Sequence, residues 1–124
     1  MPSETYDLIA RAMAERQQVL CLYQGYPRAL CPAILGHTKG QERTLAYQFA
    51  GESSSGLPTQ GEWKCFQVAG MTNVELRDGE WHSGTRHSQQ QTCVEVVDLD
   101  VNPDSPYRPR RALGVGARSR FQPR

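Results

Sequence analysis

VLCLYQGYPRALCPAIL, residues 19–35, is the stretch whose reading decides the fold. Val19 to Tyr23 is apolar on both faces, which predicts a strand covered on both sides. Gly25 marks a tight turn, because glycine reaches positive φ without a steric penalty. The return strand is expected from about Arg28 to Leu35. Pro32 donates no ladder hydrogen bond, so that strand is expected to lie at an edge or to be bulged there. Arg28 is a cation inside an apolar run, where burial is costly without an anionic partner.

Upstream, Ser3 is placed to cap a helix over residues 3–17, with Glu4 and Asp7 at the positive end of its dipole. Tyr6, Ile9, Ala10, Met13 and Ala14 fall on one stripe at helical spacing. Downstream, Gly36 to Glu42 is expected as a turn and Thr44 to Phe49 as the third strand. Residues 50–61 have the composition of a long flexible loop. Strands are then expected at Trp63–Val68, Val74–Arg77 and Cys93–Val101, with Lys64, Phe66 and Val68 on one face. One leading helix followed by five or six short strands predicts a mainly β (α+β) chain closed into a small barrel.

The 124 residues suffice for one domain with a modest core, expected over residues 1–101 and followed by a tail at 102–124. The formal charge of +1 conceals an asymmetry: the last 23 residues carry six arginines against Asp104, a charge of +5, leaving −4 on the rest. A uniformly basic nucleic-acid surface is therefore not expected, and the tail reads as a mobile basic arm. No apolar run approaches the ~20 residues that span a bilayer, and no secretory signal opens the chain, so a cytoplasmic protein without membrane contact is expected. Cys21, Cys31, Cys65 and Cys93 form no C-x-x-C pair and are expected as buried, reduced thiols. His82, His87 and Cys93, with or without Cys65, match no zinc spacing, so no metal is expected and the histidines read as exposed loop residues.

Read as a string, Ala12-x-x-Glu15-Arg16, Val19 to Tyr23, Gly25, Arg28, Pro32, Leu45-Ala46-Tyr47, a loop, and Trp63-Lys64-Cys65-Phe66-Gln67-Val68 resembles the core of a WYL domain over about residues 8–77. The Tyr47-Gln48 pair, the Ser/Gly-rich loop and Trp63-Lys64-x-Phe66 are most similar to short bacterial members that stand alone. The resemblance implies a helix leading into an SH3-like or Sm-like barrel and a ligand-sensing role of the kind found in bacterial transcription regulators. The naming Trp-Tyr-Leu triplet falls on Arg43-Thr44-Leu45, so only its leucine is kept. With no helix-turn-helix in front, the chain is not expected to act as the DNA-binding regulator itself.

Carried over residue by residue, the resemblance implicates Tyr23, Arg28 and Lys64, with Tyr47 as a lesser candidate, in binding a nucleotide or short single-stranded nucleic acid. The chemistry agrees: a guanidinium and an ammonium suit phosphate oxygens, and an aromatic face stacks on a base at about 1–3 kcal/mol. Two structural alternatives stand beside it. Arg28 and Lys64 can instead pair with acids such as Glu42, Glu62 or Glu75, with Tyr23 in the core, and the chain can be a protein-interaction or dimerisation module without a small ligand. Catalysis and cofactors are not expected, because no glycine-rich phosphate loop, hydrolase elbow or metal-binding helix occurs. Cys31 or Cys65 with His37 is the best nucleophile–base pair on paper, and Glu95, Asp98 and Asp100 read as solvated positions along a strand.

Overall fold

The computed structural model describes residues 3–51, 61–82 and 93–102. The helix α1 (Glu4–Glu15) is capped by Ser3, whose hydroxyl accepts from the Tyr6 N–H at 3.1 Å. It stops at Arg16, which adopts the left-handed conformation and returns its N–H to Ala12. Six strands follow: β1 (Gln18–Tyr23), β2 (Tyr26–Thr38), β3 (Gln41–Gly51), β4 (Glu62–Gln67), β5 (Met71–Arg77) and β6 (Val96–Asp100), with a 3-10 turn, Val68–Gly70, between β4 and β5. The chain is thus mainly β with one helix, and no helix among the described residues is long and apolar enough to cross a membrane.

The β1–β2 and β2–β3 hairpins each close with two residues at positive φ, Gln24-Gly25 and Lys39-Gly40, the conformation that matches the twist of the flanking strands. Tyr23 therefore faces Tyr26, and Thr38 faces Gln41. Gly36, expected in a turn, lies inside β2. A Cβ there would meet the Val96 carbonyl oxygen at 1.9 Å, so this glycine admits the backbone of β6.

The sheet runs β4-β3-β2-β1-β5, all antiparallel, with β6 added to β2 beyond the point where β1 ends. No strand pairing joins β4 to β5, so the sheet is not closed into the expected barrel. Nor is β2 an edge strand. Pro32 instead sits at a register shift in the β2–β3 ladder, in the gap between the segments of β2 that pair with β1 and with β6, where a missing N–H is least costly.

Two apolar clusters hold the sheet. The larger buries Tyr6, Ile9 and Met13 of α1 against Val19, Leu30, Ala46, Phe66 and Met71. The smaller, on the other side, joins Ile34, Leu45, Cys93, Val94 and Val97, with Trp63 packed against it. Here the expectation of four reduced cysteines is corrected. Cys65 and Cys93 form a disulfide with a Cα–Cα separation of 5.6 Å, tying β4 to the segment that leads into β6. Cys21 and Cys31 are free and buried, as expected. The proposed loop and tail lie in large part outside the described residues, which omit 52–60 and 103–124.

Candidate anion site

Strand register places Cys21, Arg28, Leu30, Gln48, Glu62, Lys64 and Phe66 on one face, because directly opposed residues of antiparallel strands share a face. Arg28 and Lys64 therefore point to the same side of the sheet. Tyr47 opposes Lys64's neighbour Trp63 and lies on the other face, with its ring edge-on to Trp63 at 5.3 Å. The structure separates Tyr47 from the other three candidates.

Arg28 is only 5% exposed. Its Nη1 donates to Gln48 Oε1 at 3.1 Å and its Nη2 to the Tyr23 carbonyl at 3.2 Å, while its buried Nε has no hydrogen-bond partner among the described residues. Three rings surround the guanidinium, Tyr23, Tyr26 and Phe66, with centroids 5.4–5.7 Å away. No carboxylate among the described residues pairs with it. Tyr23 is committed to this arrangement: its ring meets Phe66 edge-on at 4.8 Å, its hydroxyl accepts from the Gln67 N–H, and Gly70 leaves room for the ring.

Lys64 differs. Its ammonium pairs with Glu62 at 3.0 Å, two residues away on the same face of β4, and the side chain is 18% exposed. Of the two structural alternatives raised by the sequence, pairing with an acid thus holds for Lys64, with Glu62 as the partner, and not for Arg28.

The paper nucleophile–base pairs dissolve. Cys65 is in the disulfide, and Cys31 is buried with its sulfur accepting from the His82 N–H. Burial pushes the Cys31 thiol above its ordinary value, away from the thiolate form, and the His82 contact only partly opposes this. His82 is half-buried and stacks on Phe49 at 4.2 Å, so it is not an exposed loop residue; His87 lies outside the described residues. No group of three metal-ligating side chains occurs among the described residues.

Asp98 and Asp100, read as solvated, are both 5% exposed. The β2–β6 register shifts between Leu35 and Gly36, leaving Asp98 as the extra residue of a bulge. Its carboxylate accepts from the Tyr6 hydroxyl and lies 3.0 Å from His37 Nδ1. Sequence reasoning missed this trio, and Tyr26 beside Arg28. A bulge leaves no signature in an alternating pattern, and a tyrosine next to a turn resembles any other strand residue.

No family model, curated protein or solved structure matches the chain.

Proposed function

We propose that the chain is a non-catalytic, WYL-like sensing module that binds an anionic ligand at Arg28, with a nucleotide or short single-stranded nucleic acid as the ligand class. The observation that carries the proposal is a buried guanidinium that, among the described residues, has no carboxylate partner and one N–H unanswered. Magnitudes decide why this matters. Burying a cation costs several kcal/mol even after relaxation, a desolvated ring facing it returns about 2 kcal/mol, and a hydrogen bond from a charged donor about 1.5–3 kcal/mol. Three rings and two hydrogen bonds thus answer most of that cost, and the Nε–H, without a partner among the described residues, is the position left for an oxyanion.

Supporting the WYL-like, SH3-like reading is the strand order β4-β3-β2-β1-β5 with a 3-10 turn linking the two outer strands, the order of a small barrel left open along one seam. Entry of the anion displaces Gln48 from Nη1 or moves Tyr26, which is half-buried at the rim. Lys64, released from Glu62, then supplies a second positive contact.

A second reading has its own observation. Among the described residues, strands β4 and β5 each pair on one side only, which leaves two edges for a partner strand or a second copy.

Thermal unfolding at low salt with a panel of nucleotides and oligonucleotides separates the two. A ligand at 100 times its Kd adds about 2.7 kcal/mol to folded-state stability. The anion reading expects a rise in Tm that Arg28→Met abolishes and added salt weakens. A rise that survives Arg28→Met, or no rise with any anion, overturns it, and self-association in the absence of a ligand favours the edge reading.

A further inference from the structure

Alternation along β4 turns Lys64 and Phe66 toward the face that carries Arg28, and Trp63 and Cys65 toward the other. Cys65 is exposed there, whereas its disulfide partner Cys93 is 9% exposed and packs among Ile34, Leu45, Val94 and Val97. The two halves of one bond thus differ in access. A thiolate reaches Cys65 Sγ from solvent, while the path to Cys93 Sγ leads through an apolar cluster. Cys21 and Cys31 are free thiols but buried, and are shielded from the same reagent.

The two halves also differ in how they are held. The Thr38 hydroxyl donates to the Cys93 carbonyl at 2.8 Å and accepts from the Glu95 N–H at 3.1 Å, which pins the segment leading into β6 without help from the disulfide. The Thr44 carbonyl oxygen lies 3.6 Å from Cys93 Sγ, an acceptor for the S–H that forms there when the bond opens. Among the described residues β4 pairs with β3 alone, so for this edge strand the disulfide is a second restraint.

We propose that Cys65 is a thiol-exchange site: a low-molecular-weight thiol forms a mixed disulfide on Cys65 with Cys93 as the leaving group, and β4 loosens while the segment leading into β6 stays anchored. The incoming thiolate attacks Cys65 Sγ and a new S–S bond forms. The Cys65–Cys93 bond breaks, and its electron pair leaves on Cys93 Sγ, which takes a proton from water. One disulfide replaces another, so no oxidant is consumed, and return attack by Cys93 expels the small thiol and restores the bond. The site is independent of the Arg28 reading.

The test incubates the folded, air-oxidised, full-length chain with reduced glutathione, quenches with N-ethylmaleimide and maps the tryptic peptides by mass. Cleavage after Lys64 and Arg77 isolates Cys65 in peptide 65–77, away from the Cys93 peptide that follows Arg86. The expected result is glutathione on Cys65 with maleimide on Cys93, in at least ten-fold excess over the reverse pairing. A second measurement uses single variants: Cys65 in folded Cys93→Ser should react with dithionitrobenzoate at least ten-fold faster than Cys93 in folded Cys65→Ser. Hydrogen exchange of the glutathione adduct should quicken at least ten-fold in β4 and keep its unmodified rate in β6. Glutathione mainly on Cys93 or equally on both, exchange only after denaturant is added, or no Cys65–Cys93 bond in the air-oxidised chain overturns the proposal, as does β6 losing protection along with β4.

Discussion

Arg28 donates from Nη1 and Nη2 to neutral oxygens and holds its Nε–H in the core with no acceptor among the described residues. Its neighbours register the charge: burial raises the Cys21 thiol from near 9 to about 11, and Arg28, opposite it in the ladder, pulls the other way. The folded chain thus keeps a proton on Cys21 that the unfolded chain releases near pH 9. The resulting contribution to stability is intact below pH 9 and is lost as the pH rises from 9 to about 11. Cys21→Ala should flatten the fall in Tm across that window, and wild-type Cys21 should resist alkylation at pH 8 until the chain unfolds. Phe66, fully buried and in contact with Tyr23 and Arg28, carries both the core and the aromatic cage. Phe66→Ala should cost about 3–5 kcal/mol in denaturant unfolding. Glu62→Gln frees Lys64 from an ion pair that, partly exposed, is worth at most about 1 kcal/mol. The change should tighten anion binding severalfold in a calorimetric titration while Tm moves little.

At the scale of elements, the helix and the β1–β2 hairpin were legible because each is specified locally: a capped amphipathic stripe, and a glycine turn between apolar runs. What the sequence concealed lies where β6 joins β2. Gly36 looks like a turn residue in the string and is a packing residue in the sheet, and Asp98 is turned inward by a bulge that shifts the alternation by one. Gly36→Ala should accordingly destabilise the fold by about 1–3 kcal/mol, since its Cβ meets backbone rather than a yielding side chain. The Cys65–Cys93 bond was equally hidden, because spacing alone does not say which cysteines meet. It closes a span of 28 residues, and loop-closure entropy sets its worth near 3.5 kcal/mol. Adding reductant should lower the free energy of unfolding by about that amount. The same two cysteines bear on location: a reducing cytoplasm would open the bond, whereas an oxidising compartment would keep it. Peptide mass mapping of protein isolated under alkylating, non-reducing conditions distinguishes the two states.

Across the whole molecule, the candidate anion site is built on a buried cation that no carboxylate among the described residues pairs with. The sequence displayed the cation, since an arginine inside an apolar run stands out. It did not display the aromatic cage, which assembles from β1, β2 and β4 only once the sheet forms. Of the four residues singled out from the string, Tyr23, Arg28 and Lys64 share a face and Tyr47 does not. The Arg28 Nε–H resonance in a ¹⁵N-resolved NMR titration tests the central claim most directly. Upon addition of the tightest-binding nucleotide or oligonucleotide at low salt, the account predicts that this resonance moves downfield, as a proton that acquires an oxyanion acceptor does, and returns as salt is raised. A resonance that stays in place while the protein is saturated with that ligand contradicts it.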